Sequence, residues 1–381
     1  RPSAFNLTHP DCLPTAAKTY SAHIMNPSGI NRRGFIGSLA AFGIAGVVGS
    51  ASDPSPAAPR KLRLGFDNFS IRDFKWKAPQ LIDYAASLKV EILLLSDLDV
   101  YESLEPDYLK GIRSRADAAG IQLHVGTGSI CPTSTSYNAQ RWGPAVEHAR
   151  LLLRTAQLLG SPVARCYLGS RRDREGDGGI YPHIEATVKV LKAVQSQAET
   201  AGIKLAVENH AGDMQAWELA GLIQAAGTSF VGATLDPGNA VWTLEDPMVN
   251  LELLGPHTVT TGIRDSMVSE TATGAHAMWT NMGRGQTDWP AYVKRFRELC
   301  PTDAFVLEII SYKWGSEMPY LQPAFWDRFP RARASEFARF VALAKRGSEA
   351  QPPPERPAGP EPAQQKFDLE ESLRYCREIL G

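Results

Sequence analysis

Ile203-Lys204-Leu205-Ala206-Val207-Glu208-Asn209-His210 is a short apolar run that enters through Ala201-Gly202 and stops on a carboxylate, an amide and an imidazole. A glycine after a helical segment ends the helix in the left-handed region. A β-rich apolar run reads as a buried parallel strand. Polar groups where that run stops put chemistry at the C-terminal end of the strand.

Outward from this stretch the same unit recurs. Upstream, strands are expected at 61–66, 90–95, 121–125 and 162–168, alternating with helices at 79–88, 106–119 and 139–159 and with a helical stripe of Ile184, Val188, Leu191 and Val194. Downstream, strands at 230–235, 258–263 and 305–310 alternate with helices at 214–226, after Asp246-Pro247, at 290–299 and at 335–345. Eight strand-then-helix units predict an α/β fold, a closed (β/α)8 TIM barrel over 61–346. No GxGxxG follows the first strand, which argues against an open dinucleotide-binding sheet.

The flanks read differently. Residues 1–24 are expected to be unstructured, with Met25 as the start of the translated protein. Residues 25–51 carry Arg32-Arg33 ahead of a Gly/Ala-rich apolar run and the small residues Gly49-Ser50-Ala51, the pattern of a twin-arginine export signal. That predicts an exported, periplasmic or otherwise extracytoplasmic protein with no stable membrane association after signal cleavage. Residues 52–60 read as linker, 347–366 as a Pro-rich linker, and 367–381 as an extra helix. In that helix Asp368 and Glu371 are expected to cap the start, with Leu369, Leu373, Cys376 and Leu380 on one face docked on the barrel or on a second subunit of a homo-oligomer.

A net charge of −1 over 381 residues gives no pull toward nucleic acid or anionic membrane, so a small molecule is the expected partner. The five cysteines include no CxxC pair, and neither a disulfide framework nor a zinc knuckle is indicated.

Three carboxylates end three strands: Glu208 on the fifth, Asp236 on the sixth, Glu308 on the eighth. In a barrel, such positions converge on one mouth. Buried together they need a counter-charge, and oxygen-rich ligation favours Mn2+ or Mg2+, with Zn2+ as a further option. The plainer alternatives are that Asp236 shapes a Pro-Gly turn and that Glu308 forms a buried ion pair with Arg264 or Arg165.

The strings Val207-Glu208-Asn209-His210, Leu235-Asp236-Pro237-Gly238-Asn239, Ile263-Arg264-Asp265, Met282-Gly283-Arg284-Gly285 with Asp288, and Leu307-Glu308-Ile309 resemble the ordered landmarks of the sugar phosphate isomerase/epimerase family, the xylose isomerase-like TIM barrels. The resemblance implies that Glu208, Asp236 and Glu308 are three of four metal ligands. The fourth, usually a histidine on strand seven, is Gly262 here, which leaves the place to water, to His276 recruited from the following loop, or to the loss of tight metal binding. That following segment, 266–286, exceeds an ordinary βα loop and is expected to form a lid or binding loop.

The chemistry so implied is enediolate proton transfer on a carbohydrate, with Glu208 and Glu308 as acid and base. Asn239, His210, Arg165, Arg264 and Lys313 are candidate substrate contacts, and Trp242 and Trp279 candidate stacking platforms. His124 on strand three reads as core. The expected activity is isomerisation or epimerisation of a sugar or sugar derivative. A lyase or hydrolase acting on a keto sugar or glycoside, and a carbohydrate-binding barrel without catalysis, are the alternatives.

Overall fold

The computed structural model describes residues 60–347 and 359–381. Eight parallel strands form the barrel: β1 (Arg63–Asp67), β2 (Ile92–Leu95), β3 (Gln122–Ser129), β4 (Val163–Tyr167), β5 (Lys204–Glu208), β6 (Val231–Leu235), β7 (Thr258–Thr261) and, after an antiparallel hairpin β8 (Asp265–Thr271) and β9 (Gly274–Thr280), β10 (Ala304–Leu307). Their order is β10-β1-β2-β3-β4-β5-β6-β7. The remaining gap is bridged just past β7, where Ile263 N donates to Val306 O at 2.7 Å and Glu308 N to Ile263 O at 3.0 Å.

Strand faces follow the two-residue period. In β2, Ile92 and Leu94 pack inside the barrel with Ala304 and Val306 of β10. Leu93 and Leu95 join the larger core that includes Leu81 of helix α1 (Ala78–Ser87) and Leu109 of α2 (Pro106–Ala118). His124 is a core residue as expected: Nδ1 lies 2.9 Å from Thr260 Oγ1 across the interior, and burial pulls its pKa down to about 3.

Three local expectations are corrected. The helix expected at 139–159 is two, α3 (Ala139–Trp142) and α4 (Ala145–Leu159), because Gly143 turns to φ 66° and Pro144 cannot donate. The segment 266–286 is not an open lid: β8 and β9 join β11 (Gly315–Met318) in a three-stranded sheet. Val268, Ala275, Ala277 and Met318 pack there against Phe340 and Leu343, which lie on the helix Ala334–Arg346.

The last helix runs Glu361–Leu380, so Asp368 and Glu371 lie inside it and do not cap its start. Pro360 and Pro362 sit where a helix tolerates them, at its first turn. Leu369, Leu373 and Cys376 are buried, and the helix docks on the barrel. Gln365 Oε1 accepts from Asp73 N at 3.1 Å, Tyr84 OH donates to Glu370 at 3.0 Å, and Met282 N donates to Ser372 Oγ at 3.2 Å. The expected export signal, and residues 348–358, lie outside the described residues. Among the described residues no helix is long and apolar enough to cross a membrane.

Candidate active site

Each strand-end carboxylate reaches the centre because its strand stops there and the next backbone segment holds it. Asp236 caps the short turn Pro237–Ala240, its Oδ1 accepting from Gly238 N at 2.9 Å and Asn239 N at 3.1 Å. Asn209, next to Glu208, fixes that corner by exchanging two bonds with the Asp236 backbone, at 2.7 and 2.9 Å. Asn239 Nδ2 then donates to Asp236 Oδ2 at 2.8 Å and to Glu208 Oε1 at 3.2 Å. Glu208, Asp236 and Glu308 thus form one buried acidic triad, with oxygens within 4.8 Å of one another.

Two guanidiniums serve it. Arg165 on β4 donates through Nε to Glu208 Oε2 at 2.7 Å and through Nη1 to Thr127 O at 3.1 Å. Arg264 sends Nη2 among all three carboxylates: 2.5 Å from Asp236 Oδ2, 3.8 Å from Glu208 Oε1, and paired with Glu308 Oε2. Asp265 faces the opposite way and ties down the next landmark, accepting from Gly283 N at 3.1 Å, Gly285 N at 2.9 Å and Trp289 Nε1 at 2.8 Å.

The electrostatics separate the carboxyls. Burial would raise Glu208, yet Arg165, with His210 and Arg264 behind it, takes its pKa below the ordinary value. Burial raises Glu308 despite Arg264, and Glu208 pushes it further up. Burial raises Asp236 as well, with Arg264 pulling the other way. The arginines thus hold Glu208 charged, while burial favours the protonated form of Glu308.

Above the triad opens a cavity of about 670 Å3, within the ordinary range for small-molecule sites. Glu308, Asn239, Arg264, His210, Trp242 and Trp279 line it together with Tyr167, Trp314, Arg171 and Arg172. Glu208 and Asp236 do not reach its wall; they lie beneath Arg264 and Asn239, 1% and 0% exposed.

Trp242 and Trp279 stack on each other at 4.4 Å, and Trp279 also lies under the Arg264 guanidinium at 4.5 Å. His210 stacks on Tyr167 at 3.9 Å, with Nδ1 2.7 Å from Gly169 O. The carbonyl can only accept, so Nδ1 carries the proton. Burial lowers the pKa of the ring to about 4, leaving it neutral with Nε2 as an acceptor.

Three sequence candidates are elsewhere. Arg165, expected to contact substrate, does not line the cavity and spends its guanidinium on Glu208 and Thr127 O. His276 sits in β9 between Ser269 and Glu317 in register, on the face opposite Ala275 and Ala277, and the carboxylate group holds no histidine among the described residues. The hairpin fixes it in its own sheet, so it does not replace the missing ligand. Lys313 pairs with Glu361 at 3.2 Å and Asp73 at 3.9 Å, at the docking site of the last helix.

One buried strand-end carboxyl was overlooked. Asp67, at the end of β1, is 1% exposed and accepts from Phe69 N at 2.8 Å and Ser96 Oγ at 2.5 Å. Burial and the charge of Glu308 raise its pKa to about 7. The rule that found the triad would have found it, a polar residue directly after an apolar strand. A carboxyl raised on folding stabilises below its unfolded pKa, and that contribution is lost as pH rises through the folded value. Asp67→Asn keeps an acceptor for both donors. Denaturant unfolding is therefore expected to favour the variant by a margin that grows from pH 3.8 to about 7 and then levels off; a margin independent of pH would locate the cost elsewhere.

A family model described as xylose isomerase-like TIM barrel matches residues 82–328. Over 185 residues the chain is 24% identical to a 3-oxo-isoapionate decarboxylase of Pectobacterium atrosepticum, a match covering 49% of this chain and 59% of that relative. A D-psicose 3-epimerase structure determined with D-fructose superposes with TM-score 0.58 at 16% identity, covering 84% of this chain and all (100%) of that one. The IolI protein with a bound zinc atom superposes with TM-score 0.50 at 13% identity, covering 75% and 99%. At these identities the structures establish the shared fold.

Proposed function

We propose, from the premise that the chain belongs to the xylose isomerase-like TIM barrel family, that it is an enzyme moving a proton at the carbon beside a carbonyl of a small sugar-derived substrate. The observation that carries this reading is Glu308: a carboxyl with a raised pKa on the cavity wall, paired with a guanidinium, in a cavity that a neutral imidazole and three indoles also line. Breaking the C–H bond sends its electron pair to the carbonyl oxygen. Arg264 stabilises the resulting oxyanion, and Glu308 exchanges the proton.

Return of a proton by Glu308 to the same face regenerates the substrate with an exchanged hydrogen. Delivery from water on the opposite face gives an epimer, and protonation of the neighbouring carbon, with that carbon's hydroxyl proton passing to the former carbonyl oxygen, gives an isomer. Asn239 and His210 Nε2 hold substrate hydroxyls, and Trp242 offers an apolar face to the ring. Glu208 stays ionised below the floor, where it anchors Arg165 and Arg264.

The three carboxylates by themselves have the spacing that a divalent ion such as Mn2+ or Mg2+ requires, and such an ion would polarise the same carbonyl. They do not fit one with Arg264 in its present place, because ion and guanidinium would claim the same oxygens. No step here is routed through a metal.

A second reading is favoured by Arg171, Arg172 and Arg264 among the residues that line the cavity, which suit an anionic substrate. Loss of CO2 from a 3-oxo sugar acid breaks a C–C bond and leaves the same enolate for Glu308 to protonate.

The test is proton NMR in D2O with D-fructose, D-psicose and 3-keto-glucosides, and with a 3-oxo acid for CO2 release. Expected is loss of the signal beside the carbonyl, or CO2, from at least one compound. Sugar binding by calorimetry with no exchange or CO2 from any of them would replace the enzyme by a carbohydrate-binding barrel. For localisation we propose twin-arginine export, tested by N-terminal sequencing of the secreted form; an intact Arg32-Arg33 would count against it.

A further inference from the structure

The centre of the site is built around an arginine. Position 262 faces the triad: a Cβ placed there would lie 3.4 Å from Glu308 Oε2 and 3.5 Å from Asp236 Oδ2. The imidazole that the family pattern would set at this point is absent, and Arg264 Nη2 stands among the carboxylates instead. Its route is cleared by Gly238, where a Cβ would meet Arg264 Cγ at 2.0 Å and Cδ at 2.8 Å.

The guanidinium is also held from the side. The Trp279 ring centre lies 4.5 Å from it, and that indole is fixed by its own bond to Gly238 O at 2.9 Å. Arg264 is 2% exposed, lines the cavity, and keeps its Nε without any partner. Asn239 Oδ1 and Trp242 Nε1 on the same wall are equally unpartnered. A buried polar atom left without a partner costs stability unless something fills it, so these three atoms, two donors and one acceptor, suit a ligand rich in hydroxyl and carbonyl oxygens.

We propose that Arg264 is the resident cation of this site: it occupies the seat between Glu208, Asp236 and Glu308, excludes a divalent ion from it, and presents Nε to a substrate oxygen that becomes an oxyanion. The role as electrophile rests on the acid-base reading above; the occupancy of the seat does not. A guanidinium remains protonated at any working pH and offers a planar edge to a carbonyl and its neighbouring hydroxyl, or to the two oxygens of a carboxylate. The substrate class that follows is a keto sugar or an oxidised sugar carrying a carboxylate.

The decisive measurement is metal content, independent of activity. The wild-type chain, Arg264→Ala and the double variant Gly262→His/Arg264→Ala are stripped with EDTA, incubated with excess Mn2+, desalted and analysed for manganese. A Glu208→Gln/Asp236→Asn chain serves as background.

Expected is background manganese in the wild type, at least about tenfold more in Arg264→Ala, and on the order of one ion per chain in the double variant, which restores a fourth ligand. Near-stoichiometric Mn2+ in the wild type overturns the proposal. So does background manganese in both variants once circular dichroism and thermal unfolding show them folded. If Arg264→Ala alone fails to fold, the double variant decides. Failure of the NMR exchange test with a metal-free wild type would remove the proton chemistry and leave Arg264 in its seat.

Discussion

Replacing Glu308 with glutamine is expected to lower the rate of C–H exchange by roughly 10²–10⁴-fold, the usual contribution of one positioned acid or base. Glutamine keeps the size and an oxygen acceptor for Arg264, so the cavity wall survives and ligand binding by calorimetry should change little. The loss should fall on kcat. Among the three triad carboxyls Glu308 alone lines the cavity, and burial with the nearby Glu208 charge raises its pKa. A variant that exchanges at the wild-type rate would remove Glu308 from the chemistry and return attention to His210.

The second large effect concerns stability. Arg165→Leu leaves Glu208 ionised in the barrel interior without its Nε partner, and breaking such a buried pair costs about 3–5 kcal/mol. Urea unfolding at neutral pH should register that loss. It should narrow on acidification, because Arg165 is the main influence holding the Glu208 pKa down against burial. The paired replacement Arg165→Met/Glu208→Leu removes both charges and is expected to recover most of the stability, although it disturbs the contact to Arg264. A single Arg165→Leu chain as stable as the wild type would mean that the pair is neutralised by a proton at Glu208.

What could be read from the sequence depended on how local the determinant was. The strands announced themselves because an apolar run of four to six residues bounded by glycine and polar groups has few other readings, and the acids at their ends followed from the barrel rule. The ion pair between Glu308 and Arg264 was one of the alternatives weighed. That Arg264 also reaches Glu208 and Asp236 was beyond reach, since its path depends on the missing Cβ of Gly238 and on Trp279 returning through a hairpin.

The hairpin itself was misread because its buried apolar positions other than Trp279 are Val268, Ala275 and Ala277, modest side chains scattered among serines and threonines that give a weak alternation. Asp368 resembled a cap because acidic residues often start helices. Its neighbours Pro360 and Pro362 mark the true first turn, and Asp368 instead accepts from Asn281 Nδ2 at 3.1 Å.

The last helix brings together two points far apart in the chain. One side chain, Arg297, donates through Nε to Arg60 O at 3.1 Å and through Nη2 to Leu380 O at 2.7 Å. Residues 60 and 380 therefore sit side by side at the surface of the barrel. A short peptide can span that distance, so a chain that starts at residue 359, passes from 380 to 60 and stops at residue 347 is expected to keep the strand order and the cavity.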